Sequence, residues 1–470
     1  MCYNDSIKKS KEALMEQKND LRRLVDNMAR FDYCIEDKVA RGIEDNRKGQ
    51  FRLRFLDAKG EVIKGVHAKI KQIRHAFHFG ATTFFLGQME TPELNTVYEE
   101  KFKNIFNFAV IPLYWDTLEP KRGKPRFEKD SPFISRRPPL DTAVEFCEKN
   151  KLDMKGHCLI YNSFQPDWLS KNNREIKIEI DRRLSELSAR YGNQFEDLDV
   201  INEMLTIYKN CYKGNGCRNL QITDERDHEK WCFDLCKRHF PHSRLYWNEG
   251  MQESFGEHYR GYRSYYYMAL REWLDKGAPI EGIGMQYHAF WAHGNNKSLF
   301  EENNRAMNPL RLLDVLDCYG EFGFPISLSE VSIPSWHGAG EDEEAQAEIV
   351  RRLYRLWFSH KACESIVWWN FADDTAFQGE NIFHAGLIHR DCTDKIAYQV
   401  LNDLINKEWH TEVEVDTKNG EIRFGGFYGD YEIEITTENG QRSTQKIRLH
   451  RDTTGFDNRL CDFRRTDISL

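Results

Sequence analysis

Eight short apolar stretches recur along the middle of the chain, and this repeat constrains the fold more than any other feature of the sequence. Each stretch has the length of a β-strand, and the segments between them carry the spaced apolar residues of amphipathic helices. The stretches, which begin about 30 to 45 residues apart, are residues 76–80, 108–111, 154–159, 198–201, 244–247, 282–285, 326–329 and 366–369. Eight strands that alternate with helices predict an α/β fold, the (β/α)8 TIM barrel.

The segments on both sides of this repeat alternate with a period of two residues, which is typical of β-strands. Residues 51–73 alternate around a turn at residues 57–60, which predicts a β-hairpin, and residues 413–440 hold two Asn-Gly turns. Because each segment alone is too short for a stable sheet, we predict that the two pair in a small accessory β-sandwich. The predicted divisions are an N-terminal helical segment (1–48), the accessory β-sandwich (49–75 and 408–470) and a catalytic barrel (76–407).

The N-terminal segment is amphipathic at helical spacing. Its apolar residues recur at steps of three and four among charged residues, at Leu14, Leu21, Leu24, Val25 and Met28. We expect this helix to pack on the barrel or to join copies of the chain in an oligomer. The segment lacks the apolar core of a signal peptide, so a cytoplasmic protein is expected if Met1 is the native start, and a secreted one if a signal had been removed.

The charge balance and the hydropathy argue against two classes of partner. The net charge is −8 at pH 7, whereas a nucleic-acid-binding protein needs basic clusters against the phosphates. No apolar stretch reaches the roughly 20 residues that a membrane-spanning helix requires. We therefore expect neither nucleic acid nor a membrane as a partner. Aromatic residues make up 13% of the chain, which suits rings that stack on sugars, although a large core gives the same composition.

Four cysteines are clustered between the fourth and fifth predicted strands. They are Cys211, Cys217, Cys232 and Cys236. Four thiols within 26 residues are sufficient to bind zinc, but the usual C-x2-C spacing is absent. A disulfide is a further alternative, and free thiols are the favoured interpretation, so no metal is expected.

Polar side chains follow most of the predicted strands at the point where each strand ends. They are His157, Asn202, Glu203, Asn248, Glu249, Gln286, His288 and Glu330, with Trp368 in the eighth strand. The carboxyl ends of barrel strands meet on one face, where barrel enzymes carry their chemistry. Burying so many polar groups is costly unless they contact one another or a ligand, so we predict one shared site on this face.

Glu203 and Glu330 end the fourth and seventh strands, which face each other across the mouth of such a barrel. Two carboxyl groups suit glycoside hydrolysis, in which one protonates the leaving oxygen and the other is ionised. In a retaining enzyme the ionised group attacks the anomeric carbon, and the two groups lie roughly 5 to 5.5 Å apart. An inverting enzyme needs about 6.5 to 9.5 Å, a separation that the sequence alone leaves open.

Several motifs, in order along the barrel, carry a resemblance to one family. They are residues 115–120 (Trp-Asp-Thr-Leu-Glu-Pro) with Gly123, 156–157 (Gly-His), 199–203 (Asp-Val-Ile-Asn-Glu), 286–288 (Gln-Tyr-His), 326–330 (Ile-Ser-Leu-Ser-Glu), 367–368 (Val-Trp), and 386–387 (Gly-Leu) with Lys395, Ala397 and Tyr398. From about residue 76 to residue 406, the chain resembles glycoside hydrolase family 10, the endo-β-1,4-xylanase family.

The resemblance implies a role for each matching residue. Glu203 is expected to be the general acid/base, Glu330 the nucleophile, and Asn202 the residue that hydrogen-bonds the 2-hydroxyl of the reacting sugar. The predicted substrate-binding residues are Asn202, His157, Tyr161, Asn248, Gln286, His288 and Trp368. A double displacement at two carboxylates needs no cofactor, and none is expected.

Three departures from the family lie where it grips the sugar next to the reacting one, on the non-reducing side. Tyr114 stands where the family has Lys, residues 161–164 (Tyr-Asn-Ser-Phe) replace Trp-His-Ser-Gln, and Phe377 replaces a Trp. Apolar and aromatic side chains therefore take the place of charged ones. Three alternatives follow: this second sugar (subsite −2) is bound differently, it is not xylose, or the cleft is closed there.

A further departure concerns the histidine beside the nucleophile. In the family, the equivalent of His288 is oriented by an Asp two residues beyond the nucleophile, but Ser332 occupies that position. Glu249 is the candidate replacement for this orienting carboxylate. The alternative is that Glu249 is a solvated loop acid.

The sequence thus predicts a retaining β-glycoside hydrolase, endo-β-1,4-xylanase-like, that cleaves β-linked xylose-containing poly- or oligosaccharides by double displacement. Its expected partner is the carbohydrate substrate. Two alternatives stay open. One is a β-glycosidase of the same clan with a different sugar specificity, because loops on this fold change specificity more easily than the scaffold changes. The other is a non-catalytic carbohydrate-binding relative.

Overall fold

The computed structural model describes residues 19–205, 225–289, 297–336, 340–457 and 462–470. The helices are α1 (Asp20–Ala29), α2 (Asp32–Arg47), α3 (Pro92–Ile105), α4 (Trp115–Leu118), α5 (Leu140–Asn150), α6 (Asn173–Tyr191), α7 (His228–His239), α8 (Met251–Ser254), α9 (Tyr265–Asp275), α10 (Lys297–Ala306), α11 (Pro309–Gly320), α12 (Glu343–Ser359) and α13 (Ile396–Asp403). The strands are β1 (Lys48–Leu56), β2 (Val66–His75), β3 (His78–Thr82), β4 (Phe108–Pro112), β5 (Asp153–His157), β6 (Ile160–Tyr161), β7 (Phe195–Asn202), β8 (Arg244–Glu249), β9 (Gly282–His288), β10 (Ile326–Ser332), β11 (Cys363–Trp368), β12 (Glu412–Thr417), β13 (Glu421–Phe427), β14 (Gly429–Thr437), β15 (Arg442–Leu449), β16 (Phe456–Asp457), β17 (Asp462–Phe463) and β18 (Thr466–Ser469).

Eight of these strands form a closed parallel barrel. They are hydrogen-bonded in the order β3, β4, β5, β7, β8, β9, β10 and β11. The ring closes because β11 pairs with β3, where Ser365 lies opposite His78. Each predicted stretch supplies one of these strands, so the predicted (β/α)8 barrel is confirmed. The short strand β6 is an addition that places Tyr161 beside Asn202 at the end of β7.

Helices cover the outside of the barrel, which explains why its strands are apolar along most of their length. Helix α12 shows how the sequence determines where such a helix begins. Asp342 caps its N-terminus by accepting a hydrogen bond from the backbone N–H of Ala345, and two acidic residues follow in the first turn. Asp342 also binds Arg22 of α1 at 2.6 Å. The described part of the N-terminal segment therefore packs on the barrel of its own chain.

The flanking segments form two further sheets with a shared apolar core. One sheet has the order β13–β1–β18 and the other the order β12–β2–β14–β15. Both combine N-terminal and C-terminal strands, as predicted for the accessory β-structure. The core between them is formed by Phe51, Leu53, Phe55, Val66, Ala68, Ile70, Ile422, Phe424, Tyr431, Ile433, Ile435, Leu449 and Ile468.

The predicted hairpin within residues 51–73 is wrong, because β1 and β2 lie in different sheets. Only one isolated bridge, between Leu56 and Val62, follows the turn in the described structure. Each strand has one apolar face, and each buries that face in the same core from opposite sides. Pairing with the C-terminal strands allows this arrangement, whereas a hairpin would leave both apolar faces on one side of one sheet.

Other sequence predictions fall partly outside the described residues. Leu14 of the N-terminal helix lies outside them, as do Cys211 and Cys217. Cys232 and Cys236 are buried free thiols on α7. Among the helices that the structure describes, none combines the length and the apolar character needed to cross a membrane.

Candidate active site

Glu203 and Glu330 lie at the carboxyl-terminal mouth of the barrel. Glu330 belongs to β10 and is 3% exposed, and Glu203 follows β7 and is half-buried. Glu203 has a φ of 51°, in the left-handed region that non-glycine residues rarely adopt. Its backbone N–H donates to the carbonyl oxygen of Asn248 at 2.9 Å, which holds this conformation. Such backbone strain is concentrated at functional sites in proteins.

Three side chains surround the carboxylate of Glu330. Asn248 donates from Nδ2 to Oε1 at 2.7 Å, and Nε2 of His288 lies 2.9 Å from Oε2. Nε2 of His157 lies 3.8 Å from Oε1. Both oxygens are therefore fixed by neighbours from three other strands, which orients the carboxylate before any sugar binds.

The carboxyl group of Glu203 has different surroundings. The hydroxyl of Tyr161 donates to Oε2 at 2.6 Å, and Nε2 of Gln286 donates to Oε1 at 2.9 Å. Burial and then the negative charge of Glu330 raise the pKa of Glu203, and these effects outweigh the two hydrogen bonds, which act in the opposite direction. Glu203 is thus a carboxyl group disposed to hold a proton close to another carboxylate.

A chain of amides connects the strands beneath the two glutamates. Asn248 donates from Nδ2 to Oδ1 of Asn202 at 2.7 Å and accepts a hydrogen bond from the hydroxyl of Ser329. Nε2 of Gln286 reaches the same Asn202 oxygen at 3.4 Å. These bonds hold Asn202 between the two carboxyl groups and leave its Nδ2 group as a donor.

His157 is held in place from below by a buried ion pair. Its Nδ1 lies 2.9 Å from Asp199 Oδ2, and Lys155 Nζ lies 2.7 Å from the other oxygen of Asp199. Burial opposes ionisation of Asp199, but the charge of Lys155 and the hydrogen bond with His157 lower its pKa overall. An ionised Asp199 fixes the imidazole so that Nε2 is directed at Glu330.

The structure corrects the assignment of Trp368 to the substrate-binding residues. Trp368 is fully buried among the apolar residues beneath the helices, and its indole N–H lies 3.0 Å from the carbonyl oxygens of Asn370 and Ala385. Successive side chains of a strand point to opposite faces, so its neighbour Trp369 points into the barrel mouth. The ring of Trp369 lies 5.1 Å from that of His157.

The structure also corrects the interpretation of Glu249. Both ring nitrogens of His288 are engaged elsewhere, Nδ1 with the Ser332 hydroxyl at 3.0 Å and Nε2 with Glu330. Glu249 is completely buried and accepts hydrogen bonds from the backbone N–H of Leu205 and the indole of Trp247. Ser332 itself therefore orients the imidazole, and Glu249 is neither its replacement carboxylate nor a solvated acid.

The far side of the barrel mouth is lined by a group of aromatic side chains and one guanidinium, which we call the closing wall. It consists of Phe84, Tyr114, Arg137, Phe164, Trp369 and Phe377. Tyr114, Phe164 and Phe377 are among the aromatic replacements that the sequence shows on this side of the site. The guanidinium was missed, because nothing in the run 134–139 distinguishes a buried arginine from an exposed one.

One further group of polar residues lies at the opposite end of the barrel. His78, Asp153 and Glu196 have potential ligand atoms within 4.8 Å of one another. Arg74 also binds Asp153, and Arg244 binds Glu196 at 3.2 Å. These guanidinium groups neutralise the carboxylates, so we interpret the group as a structural ion-pair cluster.

The chain resembles known proteins along most of its length. The model of the family described as glycosyl hydrolase family 10 matches residues 77–404. An anti-sigma-I factor, RsgI6, from Acetivibrio thermocellus is 24% identical over 425 residues, which cover 88% of this chain and 48% of that protein. Endo-1,4-beta-xylanase 2 of Arabidopsis thaliana is 26% identical over 436 residues, which cover 90% of this chain and 35% of that protein. The chain thus spans about half, or less, of the length of these relatives.

Solved structures share the fold. Xylanase 10B from Thermotoga petrophila RKU-1, in complex with xylobiose, matches 71% of this chain and 95% of its own with a TM-score of 0.54 and 20% identity. Native xylanase 10B from Thermotoga maritima matches 71% of this chain and 96% of its own with a TM-score of 0.54 and 19% identity. At such identities the likeness establishes the barrel fold alone.

Proposed function

Because the chain belongs to glycosyl hydrolase family 10, we propose that it is a retaining β-glycoside hydrolase that cleaves β-linked, xylose-containing oligo- or polysaccharides. The observation that carries this proposal is the contrast between its two carboxyl groups. Glu203 has a raised pKa, whereas hydrogen-bond partners fix both oxygens of Glu330. Double displacement needs one carboxyl group that holds a proton and one that is oriented for attack.

In the first step, Glu330 attacks the anomeric carbon and forms a covalent glycosyl ester. The bond between that carbon and the glycosidic oxygen breaks, and Glu203 transfers its proton to this oxygen as the leaving group departs. Asn248 and His288 hold the attacking carboxylate in position. Asn202, whose Oδ1 is occupied by Asn248 and Gln286, presents Nδ2 to a hydroxyl of the reacting sugar.

In the second step, the ester is hydrolysed with the same two groups in exchanged roles. Glu203, now ionised, takes a proton from a water molecule as that water attacks the anomeric carbon. Glu330 leaves as a carboxylate, and the configuration of the sugar is retained. Once Glu330 is esterified its negative charge is lost, which lowers the pKa of Glu203 at the moment when it has to act as a base.

A panel of aryl β-xylosides, glucosides, arabinosides and cellobiosides tests this proposal, with the first-formed product followed by NMR. We expect hydrolysis of a xyloside with the β-anomer as the first product. An α-anomer would contradict the retaining mechanism. Replacing Glu330 by Gln should abolish hydrolysis, and replacing the exposed Glu321 by Gln is the matched control that should leave it unchanged.

Two alternatives have specific support and are separated by the same panel. A different sugar specificity within this clan is supported by the closing wall, which differs from the family's distal subsite. Hydrolysis of a glucoside or arabinoside and none of the xyloside would favour it.

A carbohydrate-binding role without hydrolysis is supported by the relative that carries the name of an anti-sigma factor. Calorimetric binding of xylo-oligosaccharides with no cleavage would favour that role.

We also propose helix α2 as the surface through which copies of this chain would associate. Tyr33 on this helix is 86% exposed, whereas Ile35, Val39 and Ile43 on its opposite face pack into the barrel core. Light scattering of the protein and of Tyr33→Ala would test the proposal, since a monomeric wild-type protein excludes it.

A further inference from the structure

We propose that the closing wall ends the substrate cleft after the reacting sugar, so that the enzyme releases single sugar units from the non-reducing end of its substrate. This inference rests on the proposed function, since it concerns which bond of the chain the two glutamates reach. It is argued from the position, the packing and the burial of the closing wall.

The position of the wall follows from the strand order. Glu203 protonates the leaving oxygen, so the departing part of the substrate lies on the side of β7. The C1 and C4 atoms of a pyranose ring are at opposite ends, so the non-reducing side of the reacting sugar points away from Glu203. In the ring of eight strands, β11 lies four strands from β7 in both directions. The wall follows β3, β4, β6 and β11 and thus lies on the non-reducing side.

The rings of the wall pack against one another without a gap between neighbours. The ring centroids of Tyr114 and Phe164 lie 4.8 Å apart, and those of Phe164 and Phe377 lie 5.5 Å apart. Phe84 contacts both Tyr114 and Trp369, at 5.8 and 5.0 Å. Side chains from the loops after four strands are therefore joined into one continuous layer across this part of the mouth.

Arg137 fills the space between these rings. Its guanidinium carbon lies 4.1 Å from the ring centre of Tyr114, 5.2 Å from that of Phe84 and 5.8 Å from that of Phe164. The one hydrogen bond that this guanidinium donates within the described residues runs from Nη1 to the carbonyl oxygen of Arg136 at 2.9 Å. The charge of Asp116 acts on this guanidinium, but the described residues form no ion pair with it, and contact with aromatic faces offsets part of the cost of burying the cation. The guanidinium is thus bound by the wall as a packing element.

The loop that carries Arg137 is fastened on both sides. Nη2 of Arg126 donates to the carbonyl oxygen of Arg137 at 3.0 Å. Nη1 of Arg136 donates to Oδ1 of Asn370 at 2.9 Å and to the carbonyl oxygen of Thr375, which ties this loop to the one after β11. These bonds join the loop after β4 to the loop after β11, so separating the two loops would break buried hydrogen bonds.

Burial shows how much of the closing wall a second sugar could contact. A side chain that stacks on a second sugar has to expose a ring face to the cleft. Phe84, Tyr114, Trp369 and Arg137 are only 1%, 6%, 5% and 7% exposed. Phe164 and Phe377 of the wall are half-buried, as are Tyr161, Glu203 and His288 at the reacting centre. Four of the six wall side chains are therefore too buried to stack on a second sugar, and the accessible surface of the wall is limited to Phe164 and Phe377.

Xylohexaose labelled at its reducing end tests the inference, or the β-1,4-linked hexamer of whichever sugar the aryl panel identifies. We expect the wild-type protein to release free xylose and a labelled pentamer first, followed by a descending ladder. Early release of unlabelled disaccharide or trisaccharide would overturn the inference while leaving the proposed function intact. Cleavage of neither the hexamer nor an aryl glycoside would contradict the proposed function itself, and the inference with it.

Opening the wall should change the product. In Phe377→Ala we expect disaccharide, absent from the early wild-type products, to appear beside the monosaccharide, because removal of a half-buried ring makes space next to the reacting sugar. Arg137→Ala should act in the same direction, with its melting temperature measured to separate unfolding from widening. Phe133→Ala is the matched control, since Phe133 is 74% exposed and outside the wall. A wild-type product pattern in both wall variants, each folded, would count against the inference.

Discussion

The reacting centre and the closing wall occupy opposite halves of one barrel mouth, and they are built in different ways. The centre consists of polar side chains on strand ends, and each of its main groups hydrogen-bonds residues from neighbouring strands. Asn248 alone connects Asn202, Ser329 and Glu330. The wall consists of aromatic rings and a guanidinium, and most of them lie on loops.

This contrast indicates where such a protein can change its substrate specificity. Displacing one residue of the centre would break hydrogen bonds to several others, because the bonds form a connected network across β7, β8, β9 and β10. A loop residue of the wall has mostly apolar contacts, which tolerate exchange of one ring for another. The strands of this fold thus carry the residues that perform the reaction, and its loops carry the residues that select the substrate.

Loss of the nucleophile should reduce activity more than any change in the closing wall. Glu330→Ala should lower kcat on an aryl β-xyloside by on the order of 10⁴-fold or more, because the nucleophile is removed. Azide should partly restore turnover by attacking in place of the carboxylate, with an α-glycosyl azide as the product. Phe377→Ala is the comparison, and its rate on the same aryl monosaccharide should stay close to that of the wild type. An equal loss in both variants would show that the two halves do not act separately.

Glu203→Ala should have the next largest effect, and its size should depend on the leaving group. Loss of a general acid costs roughly 10²- to 10⁴-fold when the leaving group needs a proton. A dinitrophenol group leaves without protonation, so formation of the glycosyl ester from a dinitrophenyl xyloside should be nearly unaffected. Burst kinetics on two aryl xylosides with good and poor leaving groups would measure this. A uniform loss on both substrates would contradict the role of Glu203 as the acid.

The fold was largely predictable because it depends on periodicity. Eight apolar stretches at regular spacing leave few alternatives to a barrel, and each stretch became a strand. The predicted hairpin is wrong and the predicted pairing of the two flanking segments is right for the same reason. A period of two shows that β1 and β2 each bury one face, but it does not show which strand is the partner. That choice depends on contacts between residues more than 300 positions apart, such as Phe51 and Phe424.

The site was predictable to the extent that its residues end strands. Asn202, Asn248 and Glu330 meet as their positions suggested, because the carboxyl ends of parallel strands converge. Trp368 was assigned to the wrong face: Trp368 and Trp369 are adjacent, and only one of two successive side chains can point inward. The buried position of Arg137 could not be predicted from the sequence, because it depends on how a loop without periodicity folds over the rings.

The third prediction concerns Tyr161, which contacts both halves through Glu203 and Tyr114. Its hydroxyl donates to the Glu203 carboxylate and so lowers a pKa that burial and Glu330 raise. Tyr161→Phe removes that donor, and the pKa of Glu203 should rise because its ionised form loses a hydrogen bond. The acid has to be protonated, so kcat/KM falls as pH rises through this pKa, and the alkaline limb should move to higher pH. An unchanged alkaline limb would show that Tyr161 does not influence the pKa of Glu203.

The smallest expected effect concerns the serine that orients His288. Ser332→Ala removes the hydrogen bond at Nδ1 and leaves the one from Nε2 to Glu330. Burial lowers the pKa of His288, but the hydrogen bond and the charge of Glu330 raise it overall, which favours a protonated ring beside Glu330 in the variant too. Loss of one hydrogen bond of about 1 kcal/mol should reduce kcat roughly fivefold with little change in KM. Ser332→Thr, which keeps the hydroxyl, should recover most of the rate, and failure of this recovery would show that the serine acts by its size.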